Sequence, residues 1–351
     1  MGRRFDYLIV GQGLAGSVLA GAFWLRGRTV AVVDENHRHA ASLAAAGIIN
    51  PITGKRLNRP ERLDEYLACA FSFYPRLEHE LGARFFERRS ILRLLESAAD
   101  KERWDRQRAQ PEFRPYLAAA PTRIRPEFQA PHGGFEIERS AQLDVVRFLA
   151  ATRQRLQERG AFCDSRFDYD RLSIEPDEIR WGDWQARAII FCEGYQLTDN
   201  PWFGKVQLNP AKGEVLTLTA PDFAETRIVQ AGKWIFRGLD GTIRAGTNYS
   251  WDRFDEEPTK AARIEIETAL QAFWYQRYEV VGQKAGVRPV TKADNRPLTG
   301  LHPTQPRLGI LNGLGSKGCL QAPLVAEALV AKLETHGTIP ANLDVCRNCL
   351  W

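Results

Sequence analysis

The chain has 351 residues, 44% hydrophobic and 26% charged, with a formal net charge of +5. That length supports a large core and two domains, and no apolar run approaches the roughly 20 residues of a membrane span. Basic residues are interspersed with acids, so the sequence displays no basic stripe for nucleic acid, and the six cysteines are mostly isolated, as in a reducing compartment.

Tyr7-Leu8-Ile9-Val10 reads as a buried strand that runs into Gly11-Gln12-Gly13-Leu14-Ala15-Gly16. A helix from Ser17 to about Leu25 follows, then an apolar strand, Thr29–Val33, ending on Asp34 and Glu35. Strand, G-x-G-x-x-G, helix, strand and terminal acid together form a dinucleotide-binding fingerprint. Gly11 allows the tight turn, Gly13 the close approach of a pyrophosphate, and Gly16 the packing of helix on sheet. The helix N-terminus offers N–H groups and a positive pole to phosphate, and Asp34 is expected to accept from a ribose hydroxyl. Arg3 and Arg4 before an apolar stretch imitate a signal peptide. Cleavage there would destroy the fingerprint, so a cytoplasmic location is expected.

Ser42-Leu43-Ala44-Ala45-Ala46-Gly47-Ile48 is a run of small residues against which a flat ring could lie. Residues 60–83 read as an amphipathic helix, 85–95 as strands, 100–110 as a short polar helix and 111–131 as irregular. A strand is expected at 133–137, a helix at 142–160 with Leu143, Val146, Leu149 and Leu156 on one face, and a strand at 163–167. Short strands flank Trp181–Trp184. Ala188–Cys192 is a buried strand ending in Glu193-Gly194. Residues 206–250 are β-rich, with Lys212 and Glu214 read as hairpin residues. A helix at 259–275 precedes strands at 280–281 and 286–289. The strand 308–311 feeds the glycine-rich loop Gly313–Gly318 and a helix from Pro323 to Leu333. Cys346 and Cys349 form a lone C-x-x-C, read as a solvated tail. No cysteine pair follows the first glycine loop, which argues against a disulfide reductase.

The expected fold is therefore an α/β nucleotide-binding domain assembled from residues 1–50, 135–205 and 281–340. A mixed α+β substrate domain with an antiparallel sheet comes from 51–134 and 206–280, and 341–351 form a tail. Ligands would sit at the carboxyl ends of the strands, between the domains.

Five segments, VGQGLAGS at 10–17, SLAAAGIINP at 42–51, KGEVL at 212–216, GVRPVTKADNRPLTG at 286–300 and LNGLGSKGCLQAPLVAEAL at 311–329, lie in one family's order across the whole chain. Together they resemble the D-amino-acid-oxidase-like superfamily of FAD enzymes. Within it the resemblance is to glycine oxidase and to the oxidase half of the bifunctional tRNA 5-methylaminomethyl-2-thiouridine biosynthesis enzyme. The resemblance implies an FAD-binding Rossmann-like domain and oxidation of the C–N bond of a small amino acid or N-substituted glycine by hydride transfer to flavin N5. It places Ala45, Ala46, Gly47 and Ile48 along the isoalloxazine, Phe167 on the adenine side, and Gly315, Ser316, Lys317 and Gly318 around the pyrimidine end of the flavin. Arg288 would pair with the substrate carboxylate, a task suited to a planar, permanently charged fork. Tyr249 and Lys317 would stand near the substrate. Val287 falls where some relatives carry a flavin-linking cysteine, so FAD is expected to be non-covalent. Ile49–Arg56 departs from the glycine oxidase pattern and adds cationic groups at the site entrance.

The residues leave three functions open. One is oxidation of a free amine or amino acid, with oxygen or another acceptor taking the electrons. Another is oxidation of a carboxymethylaminomethyl group on a tRNA wobble uridine. The third is flavin binding without turnover, in assembly of a partner. No Ser-His-Asp set or metal-ligand spacing is present, and the six histidines are scattered.

Overall fold

The structure, a computed structural model, describes residues 2–38 and 40–348. The α-helices of the described residues are α1 (Leu14–Trp24), α2 (Leu63–Leu81), α3 (Ala98–Ala109), α4 (Val145–Glu158), α5 (Lys260–Gln271) and α6 (Gly318–Thr335). One sheet has six strands in the order Leu298–Leu301, Leu308–Asn312, Ala188–Phe191, Tyr7–Val10, Val30–Asp34 and Phe162–Asp164. All pair in parallel except the first, which runs antiparallel to Leu308–Asn312. Strands buried on both faces read as continuous apolar runs, and Tyr7–Val10 and Ala188–Phe191 are buried throughout. α1 is almost wholly buried as well, which explains why it lacks a polar stripe.

A second sheet has seven strands, Glu279–Arg288, Ala211–Thr219, Ile243–Gly246, Lys233–Arg237, Ile228–Ala231, Ile91–Leu94 and Gly134–Ile137. It is antiparallel except between Ile228–Ala231 and Ile91–Leu94. It carries its own core, in which Leu216, Leu218 and Ile235 pack with Ile266 and Leu270 of α5. A three-stranded sheet, Ile48–Ile49, Ala141–Leu143 and Phe86–Arg88, completes the region behind the small-residue run. A four-stranded sheet holds Arg3–Arg4 against Trp184–Ala186. The α/β fold with a mixed, largely antiparallel second sheet is the one expected.

Several boundaries differ from expectation for local reasons. Gln142 and Leu143 belong to a strand, and Asp144 caps α4 by accepting from Arg147 N–H at 3.1 Å. The buried face of α4 is therefore Val145, Phe148, Leu149, Thr152 and Leu156, not Val146. The two strands expected at 280–281 and 286–289 are one ten-residue strand, Glu279–Arg288. The helix expected from Pro323 begins five residues earlier, at Gly318. Pro323 cannot donate to the Cys319 carbonyl one turn back, and that carbonyl instead accepts the Tyr74 hydroxyl of α2 at 2.8 Å. A partner outside the helix thus permits a proline inside it. Residues 341–348 are not a solvated tail. Leu343 and Val345 are buried, and Thr299 N–H donates to the Leu343 carbonyl at 2.8 Å. Cys346 is exposed, whereas Cys349 lies outside the described residues.

Candidate cofactor and substrate site

A cleft of about 520 Å³ opens at the carboxyl ends of the parallel strands, between the six- and seven-stranded sheets. On the nucleotide side Gly11 adopts φ +94°, and a Cβ there would lie 2.5 Å from the Cys192 carbonyl oxygen. A Cβ at Gly16 would meet the Gly11 carbonyl oxygen at 1.9 Å. Gly16 packs beneath the turn and does not line the cleft, while Gly11, Gly13, Leu14 and Ala15 do. The first N–H groups of a helix have no partner within it. Among the described residues only that of Leu14 is met, by Ser42 Oγ at 2.9 Å. The result is a cradle of N–H groups at the positive end of α1, suited to a pyrophosphate.

Asp34 and Glu35 line the same end. Asp34 does not stand free as a ribose acceptor. Its Oδ1 accepts from Gln12 N–H at 2.8 Å, and its Oδ2 from His37 N–H at 2.6 Å and from Arg153 Nη2 at 2.9 Å. A carboxylate has about four acceptor sites, so roughly one remains. Arg153, on α4, also binds Gln12 Oε1 at 2.6 Å and the Asn36 side chain. Neither Gln12 nor Arg153 was expected from the sequence. The pattern treats the second fingerprint position as arbitrary, and Arg153 is 119 residues from its partner. Phe167 is buried and stacks on Trp181, 5.1 Å between centroids.

Glu193 and Gly194 follow the buried strand into the cleft. The Glu193 carboxyl takes hydrogen bonds from the Tyr169 hydroxyl and from Asn200 Nδ2 at 2.8 Å. Burial nevertheless dominates and pushes it up to about 7. The Gly194 carbonyl accepts from Asn312 Nδ2 at 2.9 Å, tying two strand ends together.

The opposite wall is built on a pair of glycines. Gly213 and Gly286 are directly opposed across the strands Ala211–Thr219 and Glu279–Arg288. A Cβ at Gly213 would fall 2.0 Å from Arg288 Nη2, and one at Gly286 would fall 2.9 Å from the Ala41 Cα. The guanidinium of Arg288 thus lies in the hollow over Gly213, and the turn Ala41–Ala44 sits over Gly286. Ser42, Ala45, Ala46, Gly47 and Ile48 continue from that turn along the cleft. Gly47 has φ +72° and abuts the Leu143 carbonyl. Arg288 donates from Nη2 to Thr247 Oγ1 at 3.0 Å, and its guanidinium carbon lies 4.6 Å from the Tyr249 ring centroid. Its Nη1 is buried and has no partner among the described residues. Desolvation lowers the Arg288 pKa, though arginine retains its charge.

Gly315, Ser316, Lys317 and Gly318 form the rim between the last parallel strand and α6. Gly315 N–H donates to the Pro289 carbonyl at 3.0 Å, which fixes this loop beside Arg288. Burial lowers the Lys317 pKa. Lys212 and Glu214 are not hairpin residues. Both are buried. Lys212 Nζ binds Asp255 and the Glu257 carbonyl, the latter at 2.6 Å. Glu214 accepts from Thr259 N–H and Oγ1, each at 2.8 Å, and from Gln283 at 2.7 Å. They clasp the segment that leads to α5. Among the described residues no cluster of His, Cys, Asp and Glu could hold a metal ion.

Residues 6–332 match the family described as FAD dependent oxidoreductase, DAO. The chain belongs to that family. It is an FAD-dependent oxidoreductase. The chain is 24% identical over 364 residues to the tRNA 5-methylaminomethyl-2-thiouridine biosynthesis bifunctional protein MnmC of Marinobacter nauticus, covering 93% of this chain and 55% of that protein. The homologous protein of Idiomarina loihiensis is 30% identical over 189 residues, 47% of this chain and 30% of that protein. The chain thus spans about half the length of the Marinobacter relative or less of the other. In structure it is similar to glycine oxidase from Geobacillus kaustophilus, with TM-score 0.79, 19% identity and coverage of 99% and 98% of the two chains. It is also similar to iminodiacetate oxidase from Chelativorans sp. BNC1, with TM-score 0.77, 21% identity and coverage of 96% and 97%.

The residues present fit FAD. The α1 cradle would hold the pyrophosphate, and the small-residue turn and the Gly315–Gly318 loop would flank the ring system. At Gly13 an added Cβ would press on Ser42 Oγ at 3.3 Å, and the branches of valine would fill the cradle. Gly13→Val should abolish FAD retention, measured as flavin released on heat denaturation of purified protein. For Glu193, the unfolded carboxyl titrates near 4.5 and the folded one near 7. Between those values only the folded chain holds the proton, so this group's stabilising contribution is complete below pH 4.5 and lost as pH rises through 7. Glu193→Gln should therefore gain stability relative to wild type between pH 5 and 8, by about 1–3 kcal/mol, as read from urea midpoints.

Proposed function

We propose that the protein oxidises the C–N bond of a small amino acid or N-substituted glycine. The observation that carries this reading is the buried, unpartnered Nη1 of Arg288 at the cleft, beside an Nη2 already fixed by Thr247. A desolvated cation with an unmet donor calls for an anion, and a carboxylate satisfies such a fork bidentately. Glycine and iminodiacetate, for which two structurally similar proteins are named, each carry a carboxylate one carbon from an amine. Their low identity leaves the substrate of this chain to the site itself.

Arg288 holds the carboxylate and so places the amine and its α-carbon in the cleft. The Tyr249 ring backs the guanidinium. Excluding water from this wall strengthens the charge-assisted bonds. The substrate nitrogen must present a free lone pair, and Lys317 Nζ, which binds its proton less tightly through burial, is placed at the rim to hold or release one. Bound FAD supplies the acceptor for the hydride. The C–N single bond becomes C=N with loss of that hydride and one proton, and water then adds to release a carbonyl product and an amine. Oxygen or another acceptor takes the electrons onward.

A second reading, oxidation of a carboxymethylaminomethyl group on a tRNA wobble uridine, has specific support. That group is itself an N-alkylglycine, and curated relatives are named for tRNA modification. Thr53 and Gly54 line the cleft, and Lys55 and Arg56 stand exposed on the turn that follows, with Arg38 also exposed at the cleft.

The first test is anaerobic flavin bleaching with a panel of amino acids and N-alkylglycines. Arg288→Ala should keep the flavin spectrum and slow substrate reduction by about two orders of magnitude or more, since each charge-assisted bond contributes roughly 1.5–3 kcal/mol. Arg288→Lys should recover only part, because a point charge lacks the fork. Wild-type rate and affinity in Arg288→Ala would overturn the assignment. For the second reading, tRNA binding should weaken about tenfold or more between 50 and 200 mM salt. Charge reversal at Lys55 and Arg56 should weaken it further without altering bleaching by N-methylglycine.

A further inference from the structure

Three large aromatic side chains are half exposed within six residues: Tyr249 at 51%, Trp251 at 49% and Phe254 at 47%. Single exposed apolar residues are ordinary, but a group of them marks a contact surface. These three begin at the cleft. Tyr249 lines it and lies against the Arg288 guanidinium, and the Trp251 ring is nearly parallel to that of Tyr249, 17° apart with centroids 6.3 Å apart. Arg288, Tyr249 and Trp251 therefore form a row of flat groups that starts on the cleft lining and ends at Trp251, beyond it.

The arrangement is held by the backbone. Ser250 and Lys212 exchange hydrogen bonds, Lys212 N–H to the Ser250 carbonyl at 2.8 Å and Ser250 N–H to the Lys212 carbonyl at 3.0 Å. That bridge pins the backbone between the two rings, just before the chain bends at Trp251 and Asp252. The ion pair of buried Lys212 with Asp255 and the Glu214–Thr259 bonds pin the same segment further along. The aromatic rings are thus preorganised, which reduces the ordering cost of binding.

We propose that Tyr249 and Trp251 form a stacking platform that selects N-substituted glycines whose nitrogen carries a flat aromatic ring. The proposal rests on Arg288 as the carboxylate anchor. With the carboxylate held there, a substituent on the nitrogen extends toward the cleft mouth, where Tyr249 ends and Trp251 begins. A flat ring there covers apolar surface that is otherwise wet and stacks with geometry that aromatic pairs favour. A methyl group in the same place reaches neither ring fully. Trp251 is a specificity residue in this scheme. It does not line the cleft and touches no reacting atom.

The experiment uses the flavin-loaded protein and two ligand pairs. N-methylglycine and N-benzylglycine are compared by anaerobic flavin bleaching. Methoxyacetate and benzyloxyacetate, which keep the carboxylate but lack the amine, are compared by their perturbation of the flavin absorption spectrum. The benzyl member of each pair should bind about tenfold more tightly. Trp251→Ala should erase that preference while leaving N-methylglycine bleaching unchanged, and Trp251→Phe should keep most of it. Equal binding of methoxyacetate and benzyloxyacetate to wild type would overturn the platform, as would a benzyl preference that survives Trp251→Ala. If neither amine bleaches the flavin but the ether pair still discriminates through Trp251, the oxidation reading fails and the platform stands.

Discussion

The glycine pair at 213 and 286 is the constraint on which the rest of the site depends. Directly opposed residues of an antiparallel pair share a face, so two missing side chains leave one hollow in the surface of the seven-stranded sheet. Arg288 folds into one half of it and the Ala41–Ala44 turn into the other. A Cβ at Gly213 would drive the guanidinium out of the hollow, and one at Gly286 would push on the Ala41 backbone. That hollow brings together the small-residue segment that follows α1 and its next strand, the sheet that carries Thr247 and Tyr249, and the arginine itself. The loop Gly315–Gly318 joins them through its bond to the Pro289 carbonyl.

Burial governs the electrostatics of the cleft. It raises the Glu193 carboxyl and lowers the Lys317 ammonium and the Arg288 guanidinium, each toward its neutral form. The site thus exposes its ionisable groups to little water, and ligand charges that enter it replace hydration with fixed donors. The same rule explains the clasp beneath. Lys212 and Glu214 are buried ions, tolerable because each is met by hydrogen-bonding partners. Asp255, Glu257 and Thr259 among those partners lie on the segment that follows the exposed aromatics, so the interior charges help to fix the position of the outer surface.

The nucleotide-binding half was legible in the sequence because its requirements are local. The turn between strand and helix needs glycine at Gly11 and Gly16, where a Cβ would run into the carbonyl oxygens of Cys192 on the neighbouring strand end and of Gly11 itself. The α/β class and the mixed second sheet followed from apolar runs and alternation. The boundaries that failed did so where a partner from elsewhere overrode the local rule. The Tyr74 hydroxyl accommodates Pro323 inside α6, and pairing with residues 48–49 and 86–88 takes Gln142 and Leu143 out of α4.

By itself the sequence determined the dinucleotide fingerprint and the apolar runs that become strands, since these reside in residue type and spacing, whereas Arg288 was marked only by the family resemblance of its segment. Only the tertiary structure decided that Asp34 is largely engaged by Gln12, His37 and Arg153, that Lys212 and Glu214 form a buried clasp, and that the chain's end packs through Leu343 and Val345. The physical reason is common to all three. A buried polar or apolar group must find its partner wherever packing supplies one, and that partner lies 119 residues away for Asp34, 45 for Glu214 and on the edge strand of the six-stranded sheet for the C-terminal segment.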